Sequence, residues 1–294
     1  MTIATEQSLD GSHPLTMKKA TRQVRDHLAL IGTATWIGGG ILLVLGIAAL
    51  LAPVLAPYDP DAIDYRALLS SPSADHWLGT DELGRDIFSR LLFGARLSLL
   101  VAFASVLIGI GAGVPIGLIA GYVGGVVDEL LMRVLDSIIA LPPLVLALTI
   151  SAVLGPGLVN ATIAIAIVSI PTFARLTRGQ VLSIKNNDYV LAARSVGVRP
   201  FLILVRHILP NVISPVIVQA TLGIGFAIIL ESSLSFIGLG AQPPTSTWGS
   251  MVQVGFEYLD IAPWFVICPS IAIFIAVLGA NLLGDGLRNQ TMRR

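Results

Sequence analysis

The chain has 294 residues, 54% of them hydrophobic and 12% charged, with 18 Lys and Arg balancing 18 Asp and Glu. That balance excludes an ordinary soluble domain, which would divide its apolar residues among amphipathic stretches and would not leave uncharged runs of about twenty residues or more. A net charge of zero gives no footing for a nucleic-acid partner, and the single cysteine, Cys268, lies in an apolar run, which rules out an intrachain disulfide and a cysteine-built metal site.

In chain order, residues 1–32 form a polar tail carrying Lys18, Lys19, Arg22 and Arg25, and the first apolar span runs from Thr33 to Leu55. Leu55-Ala56 is a weak small-residue cleavage site, but the apolar part is too long for a signal peptide and Pro57 would follow the cut, so an uncleaved anchor is expected. Residues 56–96 make a polar loop containing HWLGTDELGRDIFSRLLFGARLSL. Thr80 there suits a helix N-cap, with Asp81 and Glu82 in the first turn. Asp81 with Arg85, and Asp86 with Arg90, then stand four apart in the favourable acid-first order. A short charged helix at the membrane surface accounts for this pattern; a docking or gating element at the mouth of a path is the alternative.

Residues 97–284 are expected to form a core of five more spans: Leu97 to Gly121, Leu131 to Leu154, Ala161 to Phe173, Val212 to Ser235 and Ile261 to Leu283. Each could cross about 30 Å of hydrocarbon as a helix rising about 1.5 Å per residue. Gly155-Pro156-Gly157 followed by Asn160 divides one long apolar stretch into a tight hairpin. Between the fourth and fifth spans, the loop 175–211 contains NNDYVLAARSVGVRPFLILVRHILPN. Asn187 or Asp188 can cap a short helix running through Arg194 to Val196, which Gly197 ends in the left-handed region that only glycine enters cheaply. A second short helix starts near Pro200, whose fixed φ suits a first turn, and is expected to stop before Pro210-Asn211. Ala192 and Ala193 offer a flat face for close approach of another surface, while a surface-bound amphipathic loop is the plainer account.

The fifth span continues into ILESSLSFIGLGAQPPTSTWGSM. Glu231 lies in its uncharged run, where a carboxylate is costly unless it meets a partner or water, which makes it a functional candidate. Its place near the end of the span also allows a simple interfacial hydrogen bond to Ser232, Ser233 or Ser235. Trp248 reads as an interfacial anchor. Residues 285–294 are a basic tail. Lys and Arg collect in the two tails, at Arg133 and in the 175–206 region, whereas 239–260 has none. By the positive-inside rule both termini are expected in the cytoplasm and the loop 56–96 outside. The sequence has no GxxxxGK(S/T) phosphate loop, HExxH or GxSxG, so no catalytic residue and no cofactor or metal site is expected in this chain.

The stretch AARSVGVRPFLILVRHILPN resembles the EAA loop of bacterial ABC-importer permeases, and HWLGTDELGRDIFSR, ESSLSFIGLGAQPPTSTWGSM and NLLGDGLR resemble the second permease of the dipeptide, oligopeptide and nickel importers. The similarity runs from about Leu28 to Arg288. Leu191 stands where that pattern commonly has Glu. The resemblance implies an all-α integral membrane protein with about six spans and the type I ABC importer permease fold, in a bacterial plasma (inner) membrane. It implies a homologous permease subunit, two ABC ATPase subunits that bind ATP and Mg, and an extracellular or periplasmic substrate-binding protein as partners. Asp188, Tyr189, Ala192, Ala193, Gly197, Pro200 and Pro210 would then form the ATPase-coupling loop, and Asp81, Arg85, Asp86, Glu231 and Trp248 are candidates for gating or external docking. The expected cargo is a dipeptide or short oligopeptide, with nickel chelates or glutathione as alternatives. An ion-coupled secondary transporter is the rival class, but it would need more ionisable groups at the midplane than Arg133, Asp136 and Glu231.

Overall fold

A computed structural model describes residues 32–291. Apart from one break at residues 140–142, their backbone is helical where it crosses the apolar core, because a helix satisfies its own N–H and C=O groups where no water can. The helices are α1 (Thr33–Leu50), α2 (Ala52–Leu55), α3 (Ile87–Val123), α4 (Gly125–Ile139), α5 (Pro143–Leu154), α6 (Leu158–Ile184), α7 (Asp188–Ser195), α8 (Pro200–Ile203), α9 (Leu209–Phe236), α10 (Trp248–Phe256) and α11 (Pro263–Thr291). Five stretches are long and apolar enough to span a membrane alone, and α4 with α5 makes a sixth that is bent by 87°.

Several boundaries differ from the sequence reading. The segment expected to be external is 56–86 and holds no charged surface helix. Thr80 pairs in an isolated bridge with Asp86, and Asp86, not Thr80, caps α3 by accepting the Ser89 N–H at 2.8 Å. The third span breaks at residues 140–142 because Pro142 and Pro143 lack N–H donors and each disfavours helical backbone in the residue before it. The fourth span runs on to Ile184 and so carries Arg175 and Arg178, which the sequence reading assigned to a loop. No stop occurs before Pro210: Leu204–Ile208 forms a π-helical turn, closed by the Leu209 N–H on the Leu204 carbonyl, that feeds α8 directly into α9. The sixth span likewise continues to Thr291. The Gly155-Pro156-Gly157 hairpin is present, with both glycines at positive φ. Residues 1–31, with their basic cluster, and the last arginines lie outside the described residues.

Packing is dominated by α3 on α6. Gly109, Gly113, Gly117 and Gly121 recur every fourth residue on α3, and a Cβ at Gly117 would lie 2.3 Å from the Ala174 carbonyl oxygen and 2.6 Å from the Thr177 Cβ. Successive glycines meet successively later residues of α6, from Ser169 to Val181, so the two helices run parallel with their backbones nearly touching. Antiparallel to them, Glu231 of α9 reaches Ser98 of α3, and Gly223 lies beside Val106. Gly225 of α9 meets Ala280 of α11, while Gly38 of α1 meets Gly279 and Leu283. These contacts gather the start of α1, the ends of α3, α6 and α11, and α7–α8 at one end of the bundle. The segment 56–86, the Gly155 hairpin and α10 gather at the other, which is the outer end in the topology expected from the lysines and arginines.

Candidate functional site

The residues singled out in the sequence form two groups at opposite ends of the bundle. At the end that carries the segment 56–86, Gly79 and Gly84 turn the chain back on itself at positive φ, which folds Asp81, Arg85 and Asp86 inward. Asp81 is fully buried; its Oδ1 accepts the N–H groups of Leu83 and Arg85, both at 2.9 Å, and its Oδ2 accepts from Arg85 Nε at 2.7 Å. Arg85 also reaches Glu82 at 2.7 Å. Arg90 does not pair with Asp86: its Nε lies 3.3 Å from Asp81 Oδ2, and its Nη1 donates to the Pro60 carbonyl at 3.0 Å. The remaining oxygen of Asp86 pairs with His76 Nδ1 at 3.0 Å. Two arginines are thus held among carboxylates with little water, an arrangement that is costly to break from one side only. Burial, and then the neighbouring Asp81 charge, push the Glu82 carboxyl above its ordinary value.

A second buried cluster lies beside it. Glu231 has no exposed surface. Ser98 Oγ on α3 donates to its Oε2 at 3.2 Å and Ser235 Oγ, one turn along α9, donates to its Oε1 at 2.8 Å. Ser98 Oγ in turn accepts the Trp248 N–H at 3.2 Å, and Thr247 Oγ1 donates to Ser235 Oγ at 3.3 Å. Thr247 and Ser250 also close a reciprocal capping box on α10. One carboxylate therefore ties α3, α9 and α10 together. Trp248 is no interfacial anchor, because it is buried and its Nε1 donates to the Leu91 carbonyl at 3.0 Å. Of the serines named from sequence, Ser235 donates to Glu231 at 2.8 Å; Ser98 and Thr247, from distant parts of the chain, complete the cluster.

At the other end, α7 begins beside Asn187, whose side chain makes no capping bond, and Asp188 supplies the acid of its first turn. Gly197 ends the helix at φ +78°, and Pro200 opens α8. Ala192 and Ala193 do not share a face: Ala192 points outward, whereas Ala193 is buried with Val190 in the chain's own core. The outward surface carries the apolar side chains of Tyr189, Leu191, Ala192, Val196 (79% exposed) and Phe201 (73% exposed), set among the exposed Asp188, Arg194, Ser195 and Arg199. The joint is fixed to the bundle by Arg194 over the Tyr122 ring at 5.1 Å, by Lys185 Nζ donating to the Gly121 carbonyl at 2.9 Å, and by Asn211 Nδ2 donating to Tyr189 Oη at 3.3 Å. Pro210 sits in the first turn of α9 just past the π-helical turn. Close by, α4 is strapped to α6: Arg178 binds both oxygens of Asp128, with Nη2 to Oδ2 at 2.7 Å, and Arg175 pairs with Asp136. No group of His, Cys, Asp and Glu among the described residues could hold a metal ion.

Residues 113–294 match the family described as binding-protein-dependent transport system inner membrane component, and residues 24–72 match the N-terminal TM domain of oligopeptide transport permease C. The chain is 46% identical over 270 residues to the glutathione transport system permease protein GsiD of Pectobacterium atrosepticum, covering 91% of this chain and 87% of that one. It is 48% identical over 259 residues to the di/tripeptide transport system permease protein DppC of Pseudomonas aeruginosa (85% and 86%), and 43% identical over 273 residues to the dipeptide transport system permease protein DppC of Alkalihalophilus pseudofirmus (92% and 88%). Among solved structures, the inward-facing MetNI methionine ABC transporter aligns with a TM-score of 0.56 at 20% identity, over 69% of this chain and 97% of that chain, a likeness of fold.

Proposed function

The chain belongs to the binding-protein-dependent transport system inner membrane components, and from that premise we propose that it is the permease subunit of an ATP-driven importer of short peptides, glutathione among them. Relatives named for dipeptide, di/tripeptide and glutathione transport, at 43% to 48% identity, support this cargo class. A homologous permease completes the membrane domain, two ATPases attach at the cytoplasmic end, and a binding protein delivers cargo at the outer end. Both termini are cytoplasmic. This chain performs no covalent step. ATP binding draws the ATPases together, α7 and α8 move with them, and the bundle rocks between inward-open and outward-open states.

The observation that carries the coupling is the set of exposed apolar side chains on α7, α8 and the turn between them. Val196 and Phe201 stand in the open at the end of the bundle where lysine and arginine collect, and nothing among the described residues covers them. Leu191 at the position where Glu is common is consistent with this face, since it makes the contact apolar where an ion pair would otherwise lie. The test is reconstitution of the complete transporter in liposomes, measuring ATP hydrolysis and uptake with the loaded binding protein. Ala192→Trp fills the outward face, and Phe201→Asp places an unpaired charge on it. Both are expected to cut stimulated hydrolysis and uptake about tenfold or more, as loss of a central contact does. Normal stimulation in both variants would remove α7 and α8 from the joint. Uptake by this chain alone under an ion gradient would refute the importer itself.

A further inference from the structure

The break between α4 and α5 opens a cavity of about 380 Å³ against α6 and α9, within the range of roughly 300 to 1,000 Å³ typical of small-molecule sites. Its lining contains no charged residue. Ile139, Leu141, Leu222 and Phe226 supply apolar wall, and Ser169, Thr172 and Gln219 supply the polar groups. Ser169 spends its hydroxyl on the Ile165 carbonyl of its own helix. Among the described residues, the side chains of Gln219 and Thr172 have no hydrogen-bond partner.

Depth makes this telling. Gln219 lies ten residues beyond Leu209 and twelve before Glu231 on α9, or about 15 and 18 Å along the helix axis. It is therefore near the middle of the span. A carboxamide offers two donors and an acceptor, and Gln219 is half-buried with none of them made within the protein, which hydrocarbon alone would not tolerate cheaply. Such a group at mid-membrane belongs beside water or cargo.

We propose that this cavity is the subunit's part of the conducting path, and that it is a charge-free surface on which Gln219 and Thr172 exchange hydrogen bonds with the peptide backbone. The inference rests on the peptide-importer reading above. Its physical logic is that a peptide's N–H and C=O groups are common to every cargo, whereas its side-chain charges vary. Neutral donors and acceptors pass all of them, and a fixed charge would hold peptides of opposite sign and reject those of like sign. The arginines nearest the cavity, Arg175 and Arg178, are paired with Asp136 and Asp128, so their charge is neutralised locally. Discrimination among side-chain charges is thereby left to other components.

The test introduces charge at Thr172, an exposed position with no internal bond to lose. The complete reconstituted transporter is supplied with Lys-Ala and Asp-Ala dipeptides, and the ratio of their uptake rates is compared with wild type, which cancels differences in assembly. Thr172→Lys should shift the ratio about tenfold against Lys-Ala, and Thr172→Asp should shift it about as far the other way, since like charges meeting in a partly dry site are strongly penalised. Gln219→Leu should slow both dipeptides about equally, by roughly tenfold, the effect of one lost hydrogen bond to a buried partner. Unchanged ratios in both charged variants would overturn the proposal and mark the cavity as a seat for lipid or a neighbouring helix, with the importer reading intact. Wild-type complex that hydrolyses ATP but takes up neither dipeptide would overturn the peptide reading and this proposal with it.

Discussion

At the scale of single residues, the end of the bundle that carries the segment 56–86 is organised by carboxylates whose partners are hydroxyls, backbone amides and guanidinium groups, and Glu231 is the clearest case. Both of its oxygens are filled by serine hydroxyls from different helices, and the same hydroxyls hold α10. Glu231→Gln keeps the shape and an acceptor oxygen, and only one hydroxyl must rotate to present its lone pair; the expected loss of stability is within about 1 kcal/mol. Glu231→Leu strands Ser98 and Ser235 in an apolar pocket and should cost about 3 kcal/mol or more. Thermal unfolding of the purified complex distinguishes the two. A leucine variant as stable as the glutamine variant would show that the cluster is packing and not a tie. Sequence pointed to Glu231 because a lone carboxylate in an apolar run is conspicuous, and it offered Ser232, Ser233 and Ser235 as partners without choosing among them; Ser235, one helical turn away, is the one that donates at 2.8 Å. Ser98, 133 positions distant, carries no local mark.

At the scale of elements, the glycines of α3 decide how closely the central pair can approach. Gly117→Val would drive a branched side chain into the Ala174 carbonyl and the Thr177 side chain. Backbone cannot yield as a flexible side chain does, so a loss of about 3 kcal/mol or more is expected. Gly111 lies on the same helix, and a methyl group added there would meet nothing within 4 Å; Gly111→Ala should be neutral or stabilising by up to about 1 kcal/mol through helix propensity. The difference in thermal unfolding between these variants measures the close contact, and equal behaviour would deny it. The number of spans was legible because uncharged apolar runs of this length suit little besides a membrane crossing. Their ends were less so. Arg175 and Arg178 read as loop residues because the acids that neutralise them, Asp136 and Asp128, are on another helix. The bend at Pro142-Pro143 and the four-residue spacing of Gly109 to Gly121 were visible signals that hydropathy alone passes over. Ala192 and Ala193 looked equivalent as a pair, yet successive helix positions are rotated by about 100° and only one can face outward.

At the scale of the whole molecule, the contacts sort every connection to one of two ends, which makes the topology directly testable. In a Cys268→Ser background, a cysteine at the exposed Ala74 should react with an impermeant reagent from outside intact cells, and one at the exposed Asn186 only after the membrane is opened. The reverse pattern would turn the protein over and place α7 and α8 out of reach of any ATPase. The positive-inside arithmetic yields this expectation from sequence alone, since it depends on where lysines and arginines fall and not on the exact limits of the helices.

The glycine contact between α3 and α6 has a mechanical meaning. Two helices whose backbones touch at Gly113, Gly117 and Gly121, over three successive turns, cannot readily slide or splay independently, so the pair acts as a single lever. At 37 residues, α3 is about 55 Å long, and a tilt of about 5° around its middle would swing each tip by about 2 Å. One tip carries the Asp86 cap and the buried arginines; the other carries Tyr122, on which Arg194 of α7 rests. A stroke delivered at one tip therefore arrives at the other with opposite sign, and Pro115, which removes a backbone hydrogen bond within α3, lies between Gly113 and Gly117, where the contact with α6 braces the helix.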